Sequence, residues 1–191
     1  MGPDEGVDPR RAQIVSAATE VFLRFGFKKT SMEDLARAAG LSRQGLYLHF
    51  SSKEALFSAA VTALVDSLDA AYRAAFAHPR RDAAGRILGG FEALHGPAIG
   101  RANQAEMAEL MATAEALVGP LTAQLEARFL TDLAALIARE GLVARARDPE
   151  LGARALAEHL DAVSCGLKHQ RVSLAGYRER MRRALRVVFG L

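Results

Sequence analysis

From residue 10 the chain repeats apolar residues every three or four positions. Ile14, Ala17, Ala18, Val21, Phe22 and Phe25 share one helical face, and Gly26 follows where a helix C-cap belongs. This spacing predicts a first helix. Thr30 and Ser31, each followed three residues on by Glu33 or Asp34, form a near capping box that opens a second helix, running through Ala39 to the break at Gly40. Ser42 is placed to cap a third helix from Arg43 to about His49, and the Ser51-x-x-Glu54 spacing predicts the start of a fourth. The fourth helix carries Leu56, Ala60, Leu64, Leu68 and Tyr72 and is predicted to end near Ala77, where His78-Pro79 breaks the pattern. Beyond it, breaks at Gly96-Pro97, Gly119-Pro120, Gly141, Asp148-Pro149 and Ala175-Gly176 separate about five more helical stretches. Glycines at 85, 89, 90, 96 and 100 make the helix in that region suspect, predicted to be short or kinked. The expected organisation is a disordered tail over 1–9, a helical head over 10–52 and a second helical domain over 53–191.

Composition agrees with an all-α chain. Of 191 residues, 38 are Ala and 25 are Leu, against only 4 Ile, 11 Val and 6 Thr. The first pair are strong helix formers and the last three favour strands. Half the residues are apolar and a quarter charged, which excludes disorder for most of the chain. The single cysteine, Cys165, has no partner for a disulfide or a cysteine-based zinc site. The opening residues are acidic without an apolar core, and no later run approaches 18 uncharged apolar residues, so a cytoplasmic protein with no membrane partner is expected.

Residues 35–46 have the spacing of a helix-turn-helix. Ala36 is small enough for two helices to cross closely, Gly40 permits the turn, and Leu35, Ala39, Leu41 and Leu46 supply a shared core. Arg43, Gln44, Tyr47 and His49 are then left on or near the outward side of the third helix, at the end where base edges would lie. The plain alternative is a small bundle with a solvated polar face. Charge weighs against it: between residues 9 and 53, eight Lys or Arg face three acids, on a chain whose net charge is only +3.

The series Ile14, Ala17-Ala18, Val21-Phe22, Gly26-Phe27, Thr30-Ser31, Asp34-Leu35-Ala36 and Ala39-Gly40-Leu41-Ser42, closing on GLYLHFSSKEALF over 45–57, resembles the DNA-binding head of TetR-type transcriptional regulators. The resemblance covers residues 10–57. It implies a homodimer on a palindromic double-stranded operator, with a small-molecule pocket and a dimer interface in the divergent helical remainder. It implies base contacts from Arg43 and Gln44 and phosphate contacts from Tyr47, His49 and Lys53. Ser42 belongs with them at the start of the recognition helix. Thr30 and Ser31 cap the second helix and could share a phosphate, while Arg10 and Arg11 could reach the backbone or minor groove. For Tyr47 the ring is expected to pack while its hydroxyl reaches phosphate; for Thr30 the alternative is a pure cap, and for Lys28 and Lys29 a solvated pair.

Two later stripes suit self-association: Leu156, Leu160, Val163 and Leu167, and then Tyr177, Met181, Ala184, Leu185 and Val188. Their alternative is the chain's own core. Phe91, His95, Met107, Met111, His159 and Cys165, with Leu94, Leu110 and Phe129, are candidate walls of an effector site, because adaptable Met beside aromatic and His groups suits a small molecule between helices. Each alone reads more readily as core, and His95 beside Gly96-Pro97 as a helix cap. No nucleophile elbow, zincin helix or phosphate loop is present, so no enzyme and no cofactor are expected. His159, Cys165 and His169 are too loosely spaced for one helix face and lack a fourth ligand, so no metal is expected. A ligand-independent DNA binder and a transcriptional activator are the competing readings to a ligand-released repressor.

Overall fold

Asp8 opens the first helix: its side chain accepts from the Arg10 N–H at 2.9 Å, and Pro9 occupies the first helical position, where its missing N–H costs nothing. The computed structural model describes residues 8–99, 104–148, 150–168, 170 and 172–190. The sequence expectations for the tail up to residue 7, Gly100, Pro149 and His169 lie outside the described residues. The described chain is helical throughout: α1 (Pro9–Phe25), α2 (Met32–Ala38), α3 (Arg43–Tyr47), α4 (Lys53–Phe76), α5 (Ala83–His95), α6 (Gln104–Val118), α7 (Leu121–Arg139), α8 (Ala153–Lys168) and α9 (Leu174–Phe189). Short 3-10 turns follow α5 at Gly96–Ala98 and α7 at Leu142–Arg145. The fold class is all-α, with an N-terminal helix-turn-helix bundle and a larger helical remainder.

The chain divides into two compact units. The first holds residues up to Val65 together with Asn103–Leu121. Its core joins Ile14, Ala18 and Phe22 of α1, Leu35 and Ala36 of α2, Leu46 of α3, Phe50, Leu56 and Phe57, and it also takes Leu110 and Ala114 from α6. Phe57 stands edge-on to Phe22 and to Phe27, each pair with ring centroids 4.9 Å apart. Each such side chain contributes about 1.5–3 kcal/mol of burial. Ala36 is fully buried, as the close helix crossing requires, and Gly40 makes the turn at φ 66°, a left-handed conformation that a side chain resists. Two expectations shift. Phe25, the last residue of the α1 stripe, is exposed beneath the Arg24 guanidinium. The cap of α4 is Ser52, not Ser51, accepting from the Ala55 N–H at 3.1 Å.

The second unit holds Asp66–Ala102 and Thr122–Leu191. Tyr72, Phe76, Phe91 and Phe129 form one aromatic cluster with centroid separations of 5.1–5.5 Å. Ile87, Leu133, Ile137, Leu156, Leu160, Tyr177, Met181 and Leu185 are buried in the same unit. The helix that glycines made suspect is continuous over 13 residues. Gly90 is there because of Phe76: a Cβ at residue 90 would stand 2.0 Å from the Phe76 ring. At Gly89 it would stand 3.3 Å from the Ala75 Cβ. These glycines let α5 lie against the end of α4, and helicity survives because that close packing outweighs a cost of about 1 kcal/mol per glycine. By length and composition α4 is apolar enough to cross a membrane, yet Leu56, Phe57 and Ala60 are buried in the first unit and Tyr72 and Phe76 in the second.

Candidate nucleic-acid interface

The helix-turn-helix is fixed locally by two caps. Ser31 and Asp34 form a complete capping box: the Ser31 side chain accepts from the Asp34 N–H at 3.2 Å, and Asp34 accepts from the Ser31 N–H at 3.1 Å. The Ser31 hydroxyl also donates to that carboxylate at 2.5 Å, and these bonds hold Asp34 below the ordinary carboxylate range. Ser42 caps α3, its Oγ accepting from the Gly45 N–H at 3.0 Å. Glycine at 45 suits that cap, since a Cβ there would press on the Ser42 Oγ at 3.2 Å.

Leu46 anchors α3 in the core, and its neighbours in sequence are turned outward. Arg43 and Gln44 are exposed, Tyr47 is 41% exposed with the Arg43 guanidinium 5.7 Å from its ring centroid, and Leu48 is 84% exposed. The site thus offers a forked donor, an amide, a phenol and an aliphatic group, a set that suits base edges, phosphates and thymine methyls. Leu48 escapes the sequence pattern, because a leucine between Tyr47 and His49 reads as core.

Other candidates have structural partners. Thr30 is only 3% exposed and its hydroxyl donates to the Gly26 carbonyl at 2.7 Å, so the hydroxyl closes the α1–α2 turn and is not presented to a ligand. The Lys53 ammonium donates to the Phe27 and Thr30 carbonyls at 3.1 and 3.0 Å and lies over the Phe27 ring. His49 is half-buried, and its carbonyl accepts from the Arg11 guanidinium at 2.7 Å. Arg11 also stacks 4.0 Å above the buried Phe50 ring, which ties the start of α1 to the end of α3. Arg10 is exposed and bonded to Gln13.

The effector candidates separate. Met107 packs on the core of the first unit and Met111 is exposed in the same unit, whereas Phe91, His95, His159 and Cys165 belong to the second. Phe91 is consumed by the aromatic cluster and His159 is exposed. His95, 4% exposed, bonds through Nδ1 to the Ser164 Oγ at 2.5 Å, and Ser164 bonds to the Tyr177 hydroxyl at 2.6 Å. Burial pushes the Tyr177 phenol well up, so it stays a neutral hydrogen-bonding group.

The stripes expected to meet a second subunit also have another use. Leu156, Leu160 and Leu167 of α8 and Tyr177, Met181 and Leu185 of α9 are buried in the chain's own core, where α8 and α9 pack on each other and on α5. They present no surface to another copy. Val163 and Val188 are half-buried, while Leu174 and Val187 are exposed.

A capped helix-turn-helix whose short third helix turns Arg43, Gln44 and Tyr47 outward defines the class of the head: a helix-turn-helix fold. Residues 14–60 match the family described as bacterial regulatory proteins, tetR family. Over 53 residues it is 49% identical to the uncharacterized HTH-type transcriptional regulator YfiR of Bacillus subtilis, which covers 28% of this chain and 26% of the relative. Over 68 residues it is 43% identical to the HTH-type transcriptional activator FasR of Mycolicibacterium smegmatis, covering 36% of this chain and 31% of that one. The chain thus spans about a quarter to a third of the length of these curated relatives. The fold extends further: the crystal structure of the TetR family transcriptional regulator PfmR from Thermus thermophilus matches 93% of this chain and 97% of its own at a TM-score of 0.63, with 21% identity.

Proposed function

We propose that the chain is a cytoplasmic, homodimeric transcriptional regulator that binds a palindromic double-stranded operator and represses until a small-molecule effector releases it. The observation that carries the DNA reading is the exposure of Arg43, Gln44, Tyr47 and Leu48 on a third helix whose buried side is fixed by Leu46. Arg43 and Gln44 read bases, Tyr47 binds phosphate, and Ser31 and Ser42 act by holding the helix ends that carry these groups. Lys53 has three donors of which two serve backbone carbonyls, leaving one N–H for a phosphate.

Pairing of two copies uses the outer sides of α8 and α9, through Leu174 and Val187 with the half-buried Val163 and Val188, because the inner sides are already occupied. Helix α4, 24 residues and about 36 Å long, contributes to both units and is the covalent path by which an effector in the second unit alters the head. An effector shifts that equilibrium only by binding one form better.

Selection of bound duplexes from a random library, followed by a reporter carrying the selected site, tests the reading. A palindromic consensus and lower reporter output with the protein present are the expected results. No sequence enrichment would overturn the operator reading. Raised output would make the chain an activator, as FasR is named, and would overturn repression alone.

A further inference from the structure

We propose that His95, Asp161 and Cys165 form a binding site for a divalent transition-metal ion of the zinc, cobalt or nickel type. Asp161 and Cys165 stand one turn apart on α8, four residues in sequence, and therefore on one helix face. His95 is the last residue of α5, which packs against α8. One ligand atom from each of the three lies within 4.8 Å of the others. The Cys165 Sγ is already 3.8 Å from the Asp161 Oδ2. Around a tetrahedral ion with metal–ligand bonds of about 2.0–2.3 Å, neighbouring donors stand roughly 3.3–3.7 Å apart, so closing the set takes side-chain rotations of about an ångström.

The donors choose the ion. One imidazole nitrogen, one carboxylate oxygen and one thiolate sulfur suit a borderline-soft ion, whereas magnesium and calcium take oxygen ligands in larger number. Thiolate and carboxylate together carry the two negative charges that neutralise a divalent ion in a poorly solvated place. The imidazole is nine-tenths buried, and its Nδ1 contact with Ser164, itself bonded to Tyr177, holds the ring in place. Three protein donors leave a fourth position for water or a small ligand. The site is not the sequence-spaced group: His159 is exposed, and the histidine that joins Cys165 comes from another helix. The proposal is independent of the reading of the head as a DNA binder.

The test uses the full, untagged chain, stripped with a chelator under reducing conditions and titrated with Co(II). One equivalent per chain is expected, with a thiolate-to-cobalt charge-transfer band in the near ultraviolet that Zn(II) abolishes by displacement. Cys165→Ser is expected to lose the band, and Asp161→Asn, which keeps the acceptor for the thiol, to weaken binding at least tenfold. Zn(II) at about a hundredfold excess over its Kd is expected to raise the wild-type Tm by roughly 5–10 °C. Absence of stoichiometric uptake, uptake without the band, or wild-type affinity in Asp161→Asn would each overturn the site. The wild-type measurement decides even if a variant fails to fold.

Discussion

The Lys53 ammonium lies 3.0 Å from the Thr30 carbonyl oxygen, joining the first residue of α4 to the residue before the α2 cap. A second bond to the Phe27 carbonyl and the ring beneath it complete the seat. A lysine expected to serve DNA alone therefore also braces the head. Replacing it leaves two carbonyls without their charged donor, a loss of about 1–3 kcal/mol. Lys53→Ala is expected to lower the denaturation midpoint and also to reduce the salt slope of DNA binding by roughly one for each phosphate it no longer neutralises. An unchanged midpoint would remove the bracing role.

Arg43→Ala and Gln44→Ala are expected to leave stability within about 0.5 kcal/mol, since both side chains are exposed. Each is expected to cost about 1–3 kcal/mol on the selected operator and to relax preference at one position per half-site. Competition between cognate and scrambled duplexes measures this. Equal discrimination by both variants and wild type would remove them from base readout.

Leu160→Glu and Val187→Glu separate core from interface. Leu160 is fully buried, so an unpaired carboxylate there is expected to destabilise the chain by about 3–5 kcal/mol, read as loss of folded protein. Val187 is 55% exposed, and its substitution is expected to keep the fold while shifting sedimentation towards monomer. A folded Leu160→Glu chain, or an intact Val187→Glu dimer, would contradict the respective assignment.

Asp69 sits among Arg73 and Arg128, bonded at 2.7 and 3.0 Å. Partial burial alone would raise its carboxyl, but the hydrogen bonds from Arg73 and Arg128 outweigh this and leave it below the ordinary aspartate range. A carboxyl depressed in the folded state adds stability above the unfolded value, near pH 4, and loses it as pH falls through the folded value. Asp69→Asn is expected to be less stable than wild type at pH 7, with the gap closing below about pH 4. A gap that is constant with pH would place the effect in packing.

Gly90→Ala is expected to destabilise by about 1–3 kcal/mol, against the helix-propensity gain of about 1 kcal/mol that the same change gives on an open helix face. The sign follows from the Phe76 ring, which a Cβ would overlap. A raised Tm would mean that the ring moves aside freely.

The helical pattern, the caps at Ser31 and Ser42 and the buried Leu35 and Leu46 are legible in the sequence because each is set by residues a few positions apart. What depends on distant residues is not. An amphipathic stripe such as Leu156–Leu160 states that one side will be buried and not by what; here the answer is α5 and α9 of the same chain. Glycines in a helix signal weakness in sequence, and only the position of Phe76 turns Gly90 into a packing requirement. Lys53 and Thr30 read from sequence as DNA contacts because their carbonyl partners lie 23 residues and four residues away, through a turn that spacing alone does not close. The union of His95 with Asp161 and Cys165 is of the same kind, made by helix packing across more than sixty intervening residues.

The ring of Phe76 over Gly90 also limits how this chain can diverge. A larger residue at 90 and the present ring at 76 exclude each other, while a smaller residue at 76 alone leaves a void, so either change made first passes through a weakened intermediate. The two positions are therefore expected to change as a pair, and among descendants of this sequence the size of one side chain should report the size of the other.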